Sequence, residues 1–336
     1  MINQFLRNIK LLQNVKQLVL GNATADIDSC VGSILLAYHM TKFNIPTAPI
    51  INYNRQSFGF HFETINLFNV DDLIFINDVD LNQYDLILYD HNDKKYTNNQ
   101  IGCIDHHEDK GQQFNQFKKI EKVGSAITLV AEYMQLDKNY KCKQEIVEIS
   151  QLIMKTILID TFNFQQNQYQ IRWVDKDKQI FDLCHSFYPQ FNAQMEYQYL
   201  TDLKYDVKLN LQLSLSQQLL KDYKKFYTVG YCVIFIKLQD LLQKYNENQL
   251  INEFNEFMIR EECKTLIVFF IHQENEYIQR SMMIYGDNQL QIINQLAKLK
   301  FEQQQSPIGN SLLLKDIDNV YSRKIIEPLI SQLFHD

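Results

Sequence analysis

Carboxylates and histidines stand directly behind four short apolar runs in the first half of the chain. The residues at these positions are Asp26 and Asp28, Asp90, Asp105 with His106 and His107, and Asp160. If the runs are parallel strands, their carboxyl ends lie along one edge of a sheet. Carboxylates crowded in a partly dry cleft would repel one another unless cations neutralised them. The sequence therefore predicts a metal site at this edge.

The oxygen-rich set of side chains favours two hard divalent cations, Mg²⁺ or Mn²⁺, over zinc. One carboxylate can bridge two such ions, and a histidine can complete a shell. A pair of this kind activates water and binds a phosphoryl group. Each aspartate taken singly could equally be a helix N-cap. Four such positions together with a histidine pair favour the metal site.

Strands that are apolar throughout are needed to position these residues. The predicted strands are "QLVL" (17–20), "DLIFI" (72–76), "DLILY" (85–89) and "IGCI" (101–104), and Asp160 follows the apolar run "TILI" (156–159). Helical segments are predicted from Ser29, over 125–135 and over 145–158. This alternation predicts an α/β fold: an open, mainly parallel sheet with helices on both faces.

The second half predicts a smaller α+β domain. Its predicted strands are 231–238, 265–271 and 281–286, and its predicted helices lie near 239–259 and 288–300. A chain of 336 residues is long enough for two domains. We predict a metal-binding catalytic domain over 1–185, a helical linker or hinge over 186–212, and a substrate-binding domain over 213–336.

Composition excludes several classes of protein. Lys and Arg total 33 against 40 Asp and Glu, and no basic block marks a nucleic-acid polymer as partner. No apolar stretch reaches the roughly 18 residues of a membrane span. The six cysteines lack CxxC spacing and predict reduced thiols in the cytoplasm. The basic, amphipathic residues 1–16 fit either a mitochondrial presequence or a short helix packed on the first domain.

Four motifs resemble those of the DHH phosphoesterase superfamily, in its exopolyphosphatase and prune branch with a DHHA2 second domain. The motifs are "GNATADIDS", "DHND", "IDHHED" and "ILIDTFN". Further matching segments follow the same order along nearly the whole chain: "FLRNIK", "PIINYNR", "VGSAITLV", "LLKDYKKF", "IYGD" and "SRKIIEP". The tripeptide DHH alone would be a weak signal. The set as a whole is specific.

The resemblance implies roles for the candidate site residues. One ion would be bound by Asp26 and Asp90, and the other by Asp28, Asp90, His106 and Asp160, with Asp90 bridging. Asp105 would orient His106 or support the site from behind. His107 would hydrogen-bond a phosphate oxygen, so that Asp90, Asp105 and His107 form the catalytic set.

Asn22 is a further candidate ligand. It stands where the pyrophosphatase branch of the superfamily has a histidine, and an amide oxygen is a harder and weaker donor than imidazole. This exchange favours Mg²⁺ over Mn²⁺ and points to the exopolyphosphatase branch.

The resemblance also implies a set of substrate-binding cations that would face the metal edge across a cleft. These are Arg55, Lys224, Arg323 and Lys324. Guanidinium groups suit phosphate oxygens in bidentate fashion, and lysines add point charge. Most lysines are solvated surface charges, which is the interpretation we give to Lys221 and Lys225.

These features predict an exopolyphosphatase that releases terminal orthophosphate from inorganic polyphosphate and also accepts pyrophosphate. Two alternatives are a phosphodiesterase for cyclic nucleotides or small phosphodiesters, and a scaffold subunit that retains the fold. The chain departs from the family pattern at Lys155, at Glu327 and in "EQQQSPIGN" (302–310), which lacks a glycine pair. These departures leave the rate and the substrate length open, and no feature of the sequence predicts an oligomeric state.

Overall fold

The computed structural model describes residues 1–11, 13–93, 96, 99–274, 277–296, 299, 301–309, 311–316 and 323–334. The chain forms two units, Met1–Thr201 and Asp202–Asp336. The predicted linker, 186–212, runs across the division between them. Its role as a hinge stays a prediction.

The described part of the first unit contains a parallel sheet of five strands. They are β1 (Gln17–Leu20), β2 (Thr47–Ile50), β3 (Asp85–Tyr89), β4 (Gln100–Asp105) and β5 (Phe117–Ile120). Their order is β2-β1-β3-β4-β5, and every neighbouring pair is parallel. β1, β3 and β4 are almost wholly buried, as apolar runs in a covered sheet should be. The predicted parallel sheet is therefore confirmed.

Helices surround this sheet in sequence order. They are α1 (Ile2–Ile9), α2 (Ile27–Lys42), α3 (Arg55–Phe58), α4 (Phe62–Ile65), α5 (Ile127–Met134), α6 (Leu136–Asn139), α7 (Lys143–Asp160), α8 (Asp175–Phe187) and α9 (Ala193–Tyr205), the last of which crosses the division between the units. α1 buries Ile2, Phe5, Leu6 and Ile9, which lie on one face at helical spacing. The basic N-terminal segment thus contributes a packed helix to the core.

Two predicted strands are wrong. Residues 72–76 form no strand: Phe75 makes an isolated bridge with Ile51, between the 3₁₀ turns Val70–Asp72 and Ile76–Asp78. The run before Asp160 is the last turn of α7. In both places the side chains are buried, so apolar character alone did not distinguish a strand from a packed turn or helix.

The second unit is built on a mixed sheet. Its described strands are β6 (Lys224–Phe226), β7 (Val229–Ile234), β8 (Thr265–Glu274), β9 (Tyr277–Gly286), β10 (Phe301–Gln305) and β11 (Ser311–Asp316), in the order β10-β11-β9-β8-β7-β6. Only β7 and β8 pair in parallel among them. Its further helices are α10 (Val207–Gln212), α11 (Leu215–Lys221), α12 (Leu238–Lys244), α13 (Glu247–Arg260), α14 (Gln289–Leu296) and α15 (Arg323–Ser331). The α+β prediction is confirmed.

Membrane insertion finds no support in the helices. Among the residues that the structure describes, none of them combines the length and the apolar character that crossing a bilayer requires.

Lys221 was predicted to be a solvated surface charge, and this is wrong. The side chain is 1% exposed at the end of α11, and its Nζ lies 3.3 Å from Asn210 Oδ1 and 4.9 Å from the centroid of the Phe235 ring. Its long apolar stem packs while the ammonium keeps polar and aromatic contacts.

Lys221→Ala is therefore expected to lower the free energy of unfolding by about 2 kcal/mol, because it removes a buried, bonded side chain. Urea denaturation of the full chain measures this. Lys225 is exposed two positions beyond the same motif, so Lys225→Ala should change stability by less than about 0.5 kcal/mol. Equal midpoints for the two variants would contradict the structural role.

Candidate metal centre

Asp90 is the first residue after β3, and the backbone turns sharply there. Its φ of +61° is left-handed, a region that Asp and Asn tolerate better than most residues. Its N–H donates to the carbonyl of Ile104 at 2.9 Å, which ties this turn to β4. The side chain is 3% exposed. A buried carboxylate is thereby fixed at the carboxyl edge of the sheet.

His106 and His107 follow β4 and meet Asp90. His106 Nε2 lies 3.2 Å from Asp90 Oδ1, and His107 Nδ1 lies 3.7 Å from the same oxygen. The candidate ligand atoms of the three side chains lie within 4.8 Å of one another. The His106 side chain is 4% exposed, whereas that of His107 is 27% exposed. The two adjacent rings are therefore placed differently, one inside the site and one at its surface.

Asp105 contacts the two histidines in a way that the sequence did not predict. Its Oδ1 accepts from the backbone N–H groups of both and lies 2.8 Å from Nδ1 of the His107 ring. The ring of His106 instead has Nδ1 3.0 Å from the carbonyl of Val123. Burial opposes ionisation, but the hydrogen bond from His107 and the charges of both rings lower the pKa of Asp105 well below its usual value. Asp105 orients His107, and Val123 orients His106.

Asp26 and Asp28 stand at the start of α2. Asp26 is the N-cap of that helix and accepts from the N–H of Ser29 at 3.0 Å, so the alternative interpretation holds for one of its oxygens. Asp28 is 2% exposed. Burial, reinforced by the charge of Asp90, raises the pKa of Asp28 to about 6. The carboxylates are thus close enough to resist ionising together.

Asn22 and Asp160 complete the predicted ligand set. Asn22 donates from Nδ2 to the Asp90 carbonyl at 2.8 Å, and its Oδ1 accepts from the N–H of Thr24 at 3.3 Å. Asp160, at the end of α7, accepts from the hydroxyl of Ser125 at 2.6 Å. The charge of Asp160 also helps to raise the pKa of Tyr89, behind burial and the charges of Asp28 and Asp90. Asp160 therefore lies within electrostatic reach of the same cluster.

Residues 123–127, which we call the 123–127 segment, touch three of the predicted ligands. Besides the Val123 contact to His106 and the Ser125 contact to Asp160, the N–H groups of Ala126 and Ile127 donate to the two oxygens of Asp28 at 2.6 and 3.0 Å. The sequence marked this stretch as a family motif and gave it no role. Its backbone groups and its serine orient side chains from three other parts of the chain.

The donor set fits divalent cations. Buried carboxylates with opposed ionisation and an inward histidine offer oxygen and nitrogen ligands with excess negative charge. Asp26, Asp28, Asp90, His106 and Asp160 are the residues that would hold such ions.

Family comparisons agree with this geometry. Residues 16–159 match the model of the DHH family N-terminal domain, and residues 205–333 match the DHHA2 domain. The chain belongs to the DHH family. The predicted family resemblance is confirmed along most of the sequence.

Two relatives place this DHH protein further. A Schizosaccharomyces pombe protein named "Putative exopolyphosphatase" is 26% identical, over 93% of this chain and 89% of the relative. The crystal structure of a Methanococcus jannaschii protein, named "putative family II inorganic pyrophosphatase", superposes with a TM-score of 0.68 at 19% identity, over 95% of this chain and all of that one. The second likeness supports the two-part fold.

The predicted substrate cations of this DHH protein have mixed outcomes. The Arg55 guanidinium contacts Asp78 at 2.6 Å and the carbonyls of Leu73 and Val70 at 2.9 and 3.3 Å, and it lies over the Phe75 ring. These contacts give Arg55 a structural function in the 70–78 turns. Its substrate-binding role stays a prediction.

The cations of the second unit have less described surroundings. Lys224 is half-buried at the start of β6. Arg323 and Lys324 begin α15, and their side chains lie outside what the structure describes. Lys155, one of the departures from the family pattern, pairs with Glu196 at 3.1 Å.

Proposed function

We propose that this DHH family phosphoesterase is a metal-dependent exopolyphosphatase that releases terminal orthophosphate from inorganic polyphosphate and also hydrolyses pyrophosphate. The observation that carries the proposal is the convergence of Asp90, His106 and His107 at the carboxyl edge of the sheet, beside buried Asp28. The name of the S. pombe relative supports the choice of substrate. The crowded acidic site argues against a purely structural scaffold, which would have no use for it.

Each protein group has a distinct role in this proposal. Two divalent cations, Mg²⁺ or Mn²⁺, would supply an activated water and neutralise charge that develops on the phosphoryl oxygens. Asp90 would contact both ions, since it is the carboxylate nearest to the histidine pair. Because Nδ1 of His107 is engaged with Asp105, its Nε2 is the ring atom that would donate to a phosphate oxygen. Asn22 fixes the Asp90 backbone through its amide.

A substrate panel tests the proposal. We expect the full chain, supplied with Mg²⁺ or Mn²⁺, to release orthophosphate from tripolyphosphate and pyrophosphate faster than it cleaves a cyclic nucleotide. Chelation with EDTA should abolish this release. Preferential cleavage of the cyclic nucleotide would replace the proposal with the phosphodiesterase alternative, and inactivity on every substrate would favour the scaffold.

The remaining roles belong to the same proposal. We keep Lys224, Arg323, Lys324 and Arg55 as candidate polyphosphate-binding cations, and Asp26, Asp28, His106 and Asp160 as ligands. A cytoplasmic location, the absence of a nucleic-acid polymer as partner, and the choice between Mg²⁺ and Mn²⁺ stay predictions.

A further inference from the structure

The hydroxyl of Tyr89 reaches into the candidate metal centre from the last position of β3. It donates to Asp28 Oδ1 at 2.6 Å, and the whole tyrosine side chain is buried. Tyr89 immediately precedes Asp90, whose left-handed turn sends the two side chains in different directions. One strand end therefore supplies a carboxylate to the site and, from behind, a phenol to a second carboxylate.

Gly32 on α2 makes this reach possible. A Cβ atom at that position would lie 2.0 Å from the Tyr89 hydroxyl oxygen and from its ring carbon Cζ, far inside contact distance. The ring thus lies flush against the α2 backbone one turn beyond Asp28. A helix-interior glycine costs about 1 kcal/mol relative to alanine, so the pair costs helix stability in return for the position of the phenol.

Hydrogen bonds fill most of the acceptor positions of Asp28. Oδ1 accepts from Tyr89 and from the N–H of Ile127, and Oδ2 accepts from the N–H of Ala126. A carboxylate offers about four lone-pair positions, so roughly one, on Oδ2, is left. Three donors from β3 and the start of α5 fix the plane of this carboxylate before any ligand arrives.

We infer that Tyr89 is a positioning residue of the metal centre: with Gly32, it holds the Asp28 carboxylate in the one orientation in which Oδ2 can bind a cation. This role rests on the proposed metal centre and concerns cation binding rather than the choice of phosphate substrate. Hydrogen-bonded partners behind a metal ligand commonly set its affinity by 10- to 100-fold when they are removed.

Titration of the metal-stripped full chain with MnCl₂ by calorimetry tests the role. Tyr89→Phe keeps the ring and removes only the hydroxyl, and it should weaken Mn²⁺ binding about tenfold. Gly32→Ala displaces the ring and should weaken binding by a similar factor. In a Tyr89→Val background, which leaves room for the new methyl group, Gly32→Ala should have little further effect.

Tyr38→Phe is the matched control. The Tyr38 hydroxyl also donates to a buried carboxylate, Glu145, at 2.5 Å, and Tyr38 lies on α2 as Gly32 does. We expect this variant to lose a comparable hydrogen bond and to bind Mn²⁺ as the wild type does. Wild-type affinity in Tyr89→Phe, or an equal loss in Tyr38→Phe, overturns the inference. So does a wild type that binds no Mn²⁺, whereas a wild type that binds Mn²⁺ but spares polyphosphate overturns only the proposed function.

Discussion

Asp90→Asn is expected to lower kcat/KM for tripolyphosphate by roughly a thousandfold, in Mg²⁺ and in Mn²⁺. A bound cation contributes several kcal/mol of transition-state stabilisation, and each 1.36 kcal/mol corresponds to a factor of ten. Asp90 is the carboxylate closest to both histidines, so its charge should hold the ions most directly. Orthophosphate release at matched protein concentration measures the effect.

The asparagine variant isolates charge from backbone geometry. Asn tolerates a left-handed φ of +61° as well as Asp does, so the turn after β3 should persist. A second readout is the rise in melting temperature on adding MnCl₂, which reports cation binding to the folded state and should shrink in the variant. Asp85→Asn changes the opposite end of the same strand and should leave both readouts unchanged. Wild-type release by Asp90→Asn would remove Asp90 from the metal centre.

The sheet was largely predictable because its strands are apolar throughout. β1, β3 and β4 are buried on both faces, and their carboxyl ends carry the polar residues that the argument needed. β2 and β5 were missed for different reasons. Pro49 within β2 is a poor strand former in an isolated sequence, and the "FKKI" of β5 has two lysines on a half-exposed edge strand.

The types of residue in the site were predictable, and their supports were not. Asp90, His106 and His107 follow predicted strands, so proximity followed from topology alone. The orientation of His106 by the Val123 carbonyl, and of Asp28 by two backbone N–H groups, involves atoms that every residue carries. No residue type signals such a contact. The prediction that Asp105 orients a histidine was right in kind and named the wrong ring first.

Long-range anchoring was equally invisible in the sequence. Asp177 lies 53 residues beyond Gly124, on α8, and reads as an ordinary first-turn aspartate. In the structure it is fully buried, and its Oδ2 accepts from the N–H of Gly124 at 2.8 Å and from that of Val174 at 2.9 Å. Its Oδ1 accepts from the Thr128 hydroxyl at 2.7 Å. It thereby ties both sides of the 123–127 segment to α8.

Asp177→Ala should consequently be the most destabilising substitution among those considered for the first unit. It leaves three buried donors without their acceptor, at about 1–3 kcal/mol each, so we expect a loss of roughly 4 kcal/mol in the free energy of unfolding. Gly124 cannot compensate by moving toward α8, because a Cβ there would already lie 2.3 Å from the Arg172 carbonyl. The midpoint of urea denaturation measures the loss.

The same substitution should also weaken the metal centre, because the 123–127 segment orients His106, Asp160 and Asp28. At temperatures where Asp177→Ala remains folded, Mn²⁺ affinity is expected to fall about tenfold. Asp182→Ala is the matched control: Asp182 lies on the same helix, is exposed, and pairs only with Lys178 among its described contacts. Its midpoint and Mn²⁺ affinity should equal those of the wild type. If Asp177→Ala lost stability but bound Mn²⁺ normally, the 123–127 segment would be a structural element that touches the site without setting its geometry.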